Sequence, residues 1–304
     1  MGQVAAQSRY TGPERSGAGT VDPDCTWNAG ARYRGPAVAP RPLRRCDLAV
    51  NLPRIFLKPL PMQVEDYGLV PPERGLGLEI EALRRLEHDA SRRMNPRAHG
   101  QAHGASGDTT ASGDTTASAV AGERLFIWES DRPAVVLPRH GEPEAWACVP
   151  ACVSRGVPLL YRESGGGAVV VGPGCLNIAL VLSLGARPWL ADVERSYAWV
   201  LGGLAGVLAI DGVAIRSTDL AVRERKFAGH AQRRVRGALL HHGVLLYDFD
   251  LSLIDTLLPE PPRRPAWRGR RTHREFLTNL PLPRAEIVRR LGRLPALSAR
   301  CASG

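Results

Sequence analysis

The chain has 304 residues, 44% of them hydrophobic, and carries six cysteines and a formal net charge of +10. That length suits one large or two small domains with a sizeable core, and no apolar run reaches the length of a membrane span, the best being Ala198 to Ile210. The basic residues are spread along the chain, almost all of them arginine, with only Lys58 and Lys226 as lysine. They form no concentrated patch and accompany no stacking motif, which argues against a nucleic-acid partner and leaves a surface suited to an acidic protein partner. The cysteines show no CxxC pair and no zinc spacing, and the N-terminus lacks a signal-peptide apolar core. A cytoplasmic protein with reduced cysteines is therefore expected.

Residues 1–74 are rich in Pro, Gly and Arg without sustained periodicity. They read as a poorly ordered N-terminal extension with one short ordered piece at Leu48 to Leu60. Residues 75–304 read as the functional domain. An amphipathic helix is predicted from Leu76 to Met94, with Leu78, Ala82, Leu83, Leu86 and Ala90 on its apolar stripe. The near-tandem ASGDTTASGDTTAS marks 95–121 as a flexible low-complexity insertion. Strands are predicted at Leu125 to Glu129 and Pro133 to Pro138, a helix at Glu142 to Ser154, and a strand at Val157 to Arg162. After a glycine-rich stretch come a long helix at Trp189 to Ile210 and a strand from Val213. A meander is predicted from Leu220 to Asp250, then short helices at Leu251 to Leu258 and Arg284 to Leu291. Strands and helices mix without a regular βαβ repeat, so the fold class is α+β, a mixed or antiparallel sheet with helices packed on it.

Two stretches could carry chemistry. In YRESGGGAVVVGPGCLN, Arg162 precedes a Gly165–Gly166–Gly167 corner, and the run Val169 to Val171 leads to a second corner, Gly172-Pro173-Gly174. Glycine tolerates positive φ and leaves backbone N–H groups open, so this is either a plain hairpin or a cradle for a carboxylate or phosphate. In TDLAVRERKFAGHAQRRVRGALLHHG, Lys226 stands just ahead of Ala228-Gly229. A lysine beside an anion loop can hold a developing oxyanion; a solvated lysine at a hairpin end is the plainer reading. Asp219 could ligand Mg²⁺ or orient the lysine, and a plain strand-end aspartate is an equal reading. His241 and His242 could include a general base or be ordinary hydrogen-bonded histidines. Cys175 lies beside the glycine motif, either as a nucleophile or as small apolar packing.

Four ordered motifs carry a resemblance: R-x-S-G-G-G-A-V from Arg162, G-P-G-x-L-N from Gly172, D-L…R-K-x-A-G-x-A-Q-R-R from Asp219, and H-H-G-x-L-L from His241. Together they resemble the biotin/lipoate protein ligase and lipoyl (octanoyl) transferase superfamily, nearest to the lipoate–protein ligase A type. The likeness runs from about Leu76 to Leu291. It implies a biotin/lipoate-ligase-like catalytic domain that attaches lipoate, through lipoyl-AMP, to a lysine of a lipoyl carrier domain, with ATP and Mg²⁺. It makes Lys226 the catalytic lysine on the acyl oxygen. Arg162, Ser164, Gly165, Gly166, Gly167 and Ala168 would line the acyl and adenylate pocket, joined by Asn177, Asp219 and Gly229, with Asp219 the candidate Mg²⁺ ligand. The alternatives within the resemblance are octanoyl or lipoyl transfer from a thioester donor and a non-catalytic lipoyl-binding or accessory protein. Val171 stands where family members commonly have histidine, and Thr218 where asparagine is frequent. No accessory domain follows Gly304, so a separate accessory ligase subunit is a further expectation.

Overall fold

A strand that is buried along its whole length needs cover on both faces. Cys175–Ser183, CLNIALVLS, is such a strand, with all nine residues buried. In the computed structural model, which describes residues 62–94, 122–261 and 264–294, all within the unit Ala37–Gly304, it lies near the centre of a seven-stranded sheet. In chain order the strands are β1 (Gln63–Val70), β2 (Arg124–Ser130), β3 (Ala134–Leu137), β4 (Leu159–Tyr161), β5 (Val169–Val171), β6 (Cys175–Ser183), β7 (Val213–Arg216), β8 (Asp219–Val222), β9 (Arg225–Val235) and β10 (Ala238–Leu246). The large sheet has the order β1-β2-β6-β10-β9-β8-β7, parallel only between β1 and β2. The remaining strands make a second sheet, β4-β3-β5, parallel between β3 and β4 and antiparallel between β3 and β5. This is the expected α+β class with mixed pairing.

Each face of the large sheet has its own cover. Helix α1 (Pro72–Met94) lays Leu83 and Leu86 against Phe126, Val181 and Leu240. On the other face, Leu201, Leu204 and Leu208 of α4 (Val193–Leu208) pack with Ile287 and Leu291 of α7 (Arg284–Leu291) and with Ile127, Ile178 and Leu180 of the sheet. Asp192 caps α4 by accepting from Arg195 N. The second sheet packs with α5 (Ser252–Leu257) and α6 (His273–Phe276), and Val136 and Val171 tie it to Leu76 of α1 and Val244 of β10.

Several local expectations are corrected. The described fold begins before Leu76: β1 falls inside the stretch assigned to the extension and pairs along β2. Its residues are mostly exposed or half-buried, so edge pairing rather than an apolar pattern makes it a strand. The rest of that extension, up to residue 61, and the insertion at 95–121 lie outside the described residues. The helix expected from Glu142 to Ser154 is two short ones, α2 (Pro143–Trp146) and α3 (Val149–Ser154). Ala147 between them is extended, and Pro150 has no N–H to continue the first. Ser130, Asp131 and Arg132, between the two strands expected there, carry the chain from one sheet to the other. Among the described residues, no helix is long and apolar enough to cross a membrane.

The second glycine corner joins the two sheets. Gly174 donates its N–H to Glu129 at 2.6 Å and accepts from Tyr247 N and Asp248 N at 3.0 and 3.1 Å. Glu129, itself buried, also accepts from Tyr247 OH at 3.0 Å and from Arg284 Nε at 3.1 Å. Gly174 has φ of +86°, and a Cβ there would overlap the Asp248 carbonyl. Gly174→Ala is therefore expected to destabilise the fold by about 2–4 kcal/mol in denaturant titration. Gly77→Ala, on α1 where a Cβ would meet nothing within 4 Å, should stabilise by about 0.5–1 kcal/mol. Equal effects at the two glycines would contradict this description of the corner.

Candidate active site

Lys226 reaches its position through an irregularity in the meander. Asp219 pairs with Gly229 and Leu220 with Ala228, but Ala221 then pairs with Lys226, leaving Phe227 as an extra residue on β9. Such a bulge re-aims side chains. Phe227 is fully buried in the core under α4, while Lys226 projects into a cavity of about 330 Å³ between the two sheets. Its Nζ is 2.8 Å from Asp219 Oδ1, and Asp219 is almost fully buried. Gly229 opposite leaves room for the lysine: a Cβ there would lie 2.5 Å from Nζ.

The far wall of the cavity is the first glycine loop, Gly166 to Ala168, running into Val169, Val170 and Val171. Phe276, Leu277, Ile254 and Leu258 extend it as an apolar wall, and Asn177 also lines it. The structure thus brings Lys226, Asp219, Gly229, Asn177, Arg162, Gly166, Gly167 and Ala168 to one cavity. Ser164 and Gly165 face a shallower cleft on the other side of the loop, with Arg139, Arg233 and Arg234.

Arg162 lines the cavity, but its guanidinium is engaged by the loop. Nε donates to Ser164 Oγ at 2.9 Å, Nη1 to Val136 O at 3.3 Å, and Nη2 to Gly165 O and Gly167 O at 2.6 and 2.7 Å. Burial lowers its pKa to about 10, opposed by Glu79 and Tyr197, so it remains charged at neutral pH. Gly166 takes φ of +99° beside that guanidinium, a conformation open to glycine. Turning two loop carbonyls onto Arg162 fixes the shape of the wall that faces Lys226.

One residue of this region was not singled out by its motif. Glu79 of α1 is 2% exposed, lines the cavity, accepts from Trp128 Nε1 at 2.9 Å and pairs with His242 Nδ1 at 2.6 Å. The signal available in the sequence was its spacing. Glu79, Leu83 and Leu86 stand at i, i+4 and i+7, which places a carboxylate on the buried stripe. His241 and His242 lie in the middle of β10, where adjacent side chains point to opposite faces. His242 joins the cavity; His241 lies under α4 beside His230. Cys175 is fully buried, and burial with the Glu129 charge pushes its thiol well above the usual range, which disfavours the thiolate a nucleophile needs.

Residues 112–283, more than half of the chain, match the lipoyl protein ligase A/B catalytic domain, and the chain belongs to that family. Solved structures share the fold. The Plasmodium falciparum LipL1–lipoate complex superposes with a TM-score of 0.54 at 14% identity over 78% of this chain, which spans 62% of that one. A bi-partite lipoate protein ligase from Thermoplasma acidophilum, described with its E2 lipoyl domain, gives 0.53 at 20% identity over 78% of this chain and 83% of that one. A lipoate-protein ligase A bound with ATP gives 0.52 at 18% over 78% and 85%.

The two histidines under α4 give the fold an acid sensitivity. His230 Nδ1 donates to Thr218 O at 3.2 Å, and burial holds its pKa down to about 3 despite that bond. Burial, then the neighbouring His230 and His242, keeps His241 well below the ordinary value of 6.5. Below that pH the unfolded chain binds protons that the folded chain refuses, so stability falls as pH drops from 6.5. Between pH 6.5 and 5, denaturant titration is expected to show a loss on the order of 1 kcal/mol per histidine. A flat profile over that window would contradict the buried neutral state of both rings.

Proposed function

We propose that this member of the lipoyl protein ligase A/B catalytic-domain family joins lipoate to a lysine of a lipoyl carrier domain, in two steps through lipoyl-AMP. The observation that carries this reading is Lys226, an ammonium group held by Asp219 in a cavity that also has an apolar wall, and facing a glycine loop. A carboxylate is a poor acyl donor until it is activated. In the first step the lipoate carboxylate attacks the α-phosphorus of ATP and pyrophosphate leaves. In the second, the ε-amine of the acceptor lysine attacks the acyl carbon, loses its proton, and AMP leaves. Both steps move negative charge onto oxygens, which a fixed ammonium and backbone N–H groups stabilise more than they stabilise the ground state.

The residues divide the work. Lys226 is the group that touches the acyl or adenylate oxygen. Asp219 keeps it aimed, and Gly229 leaves its head room. The Gly165–Gly167 loop, shaped by Arg162, faces the carboxyl end. Val169 to Val171, Phe276 and Leu277 flank the aliphatic chain. Among the described residues, no group of three or more His, Cys, Asp or Glu could hold a metal. That donor set fits a Mg²⁺ that arrives with the nucleotide and takes one carboxylate, Asp219, from the protein, as Mg²⁺ commonly does. The sequence departs from its family at Val171, which is buried against Ala134 and Val136, so that position contributes packing rather than a titratable group. The acceptor is a lipoyl domain carried by another protein, and a separate accessory ligase subunit assists; the archaeal protein described as a bi-partite ligase with its E2 lipoyl domain supports both. The burial of Cys175 weighs against transfer through a cysteine thioester.

The test is mass measurement of a lipoyl domain incubated with this protein, lipoate, ATP and Mg²⁺, with a separate accessory subunit added in a parallel arm. The expected result is a lipoyl adduct that requires ATP. Lys226→Ala should slow it by about a hundred-fold or more. Gly229→Ala, whose clash is with the flexible end of Lys226, should keep the fold and slow the reaction roughly ten- to a hundred-fold. An adduct formed from an octanoyl thioester without ATP would replace the ligase reading with transfer, and binding of lipoate without any adduct would leave a non-catalytic role.

A further inference from the structure

We propose that Glu79 is a positioning residue, which fixes the tautomer of His242 and, through Ser164 and Arg162, the shape of the glycine loop. The proposal rests on the reading of that loop as the acyl-pocket wall, but its first test does not. Four buried side chains form one hydrogen-bonded chain across the gap between α1 and the second sheet. Arg162 Nε lies 2.9 Å from Ser164 Oγ, Ser164 Oγ 2.6 Å from His242 Nε2, and His242 Nδ1 2.6 Å from Glu79 Oε2. Trp128 Nε1 closes the far end, 2.9 Å from Glu79 Oε1. Glu79, Ser164, His242 and Arg162 are all buried, Ser164 at 1% exposure.

The ends of that chain fix the direction of the bonds they touch. A guanidinium can only donate and a carboxylate can only accept. Trp128 therefore donates to one Glu79 oxygen, and His242 donates its Nδ1 proton to the other. In a neutral imidazole a proton on Nδ1 leaves Nε2 as a lone pair, and to that tautomer the Ser164 hydroxyl donates. The oxygen of that hydroxyl is then free to accept from Arg162 Nε. Arg162 so placed turns its Nη2 onto Gly165 O and Gly167 O. Reversing the histidine tautomer would give Ser164 Oγ two donors, and its own proton would have to turn away from both.

Glutamine at this position has the same shape but only one acceptor oxygen. Facing both the Trp128 and His242 N–H groups, its amide can satisfy one and must present a donor to the other. The effect should pass along the chain to the loop. That makes Glu79→Gln a probe of the wiring rather than of packing.

The experiment begins with the wild-type protein, selectively ¹⁵N-labelled at histidine, and reads by NMR which ring nitrogen of His242 carries the proton. Nδ1–H is expected, and a proton on Nε2 alone would overturn the proposal with no assay of activity and no variant. In Glu79→Gln, the amide resonances of Gly165–Gly167 should shift and broaden, while hydrogen exchange along the centre of β6 stays unchanged. The KM for lipoate, if the ligase reading holds, should rise by about ten-fold with a smaller change in kcat. In a Ser164→Ala background the same Glu79→Gln change should add little, because the link it acts through is already cut. Additive effects in the double variant, or exchange that quickens throughout the sheet, would mean that Glu79 only supports the fold. If the variant does not fold, the wild-type tautomer decides.

Discussion

A half-buried ammonium is held best by a counter-charge, because desolvating an unpaired charge costs more than desolvating a paired one. Lys226 meets that constraint with Asp219, 2.8 Å away on the neighbouring strand. The arrangement around the pair follows from it. Asp219 and Gly229 are register partners, so the carboxylate arrives from β8 at the point where β9 has no side chain. The extra Phe227 in β9 turns Lys226 toward the cavity while Phe227 itself fills the core beneath α4. A single bulge thus supplies both a packed core residue and a polar group in the cavity.

The opposite wall is held by the same logic in mirror image. Arg162 is charged and buried, and it is compensated by loop carbonyls and a buried hydroxyl rather than by a direct carboxylate contact. Its partners make the loop rigid before any ligand arrives, which is what preorganised stabilisation of a developing charge requires. The two walls belong to different sheets. Their spacing therefore depends on the joint at Gly174, where Glu129 collects bonds from the glycine corner, Tyr247 and Arg284. Chemistry and stability meet at that corner.

Much of this could be read from residue order. Lys226 drew attention because lysine is almost absent from the chain, and Asp219 and Gly229 because they flanked it in a motif; the fold places all three together. The glycine loop was legible as a tight corner, and it lines the cavity, yet its arginine was not legible as a brace for the loop, because the carbonyls it holds are set by backbone geometry. Glu79 escaped notice since a carboxylate on a helix is usually solvated, and only its tertiary partners, Trp128 and His242, reveal otherwise. The division into two sheets was invisible for a related reason. LFIWES and AVVL are adjacent in sequence and both apolar, and local pattern cannot say that the turn between them changes sheets. Strand β1 had the opposite problem, a polar edge strand whose identity lies in its partner.

The central claim is that the acyl group sits between Lys226 and the glycine loop. The most direct measurement is a crystal structure with a non-hydrolysable analogue of lipoyl-AMP. The account predicts Lys226 Nζ at about 3 Å from the acyl or bridging oxygen, with the aliphatic chain running between Val169 to Val171 and Phe276. An analogue lodged instead in the cleft of Arg139 and Arg233, with Lys226 contacting only Asp219, would contradict it.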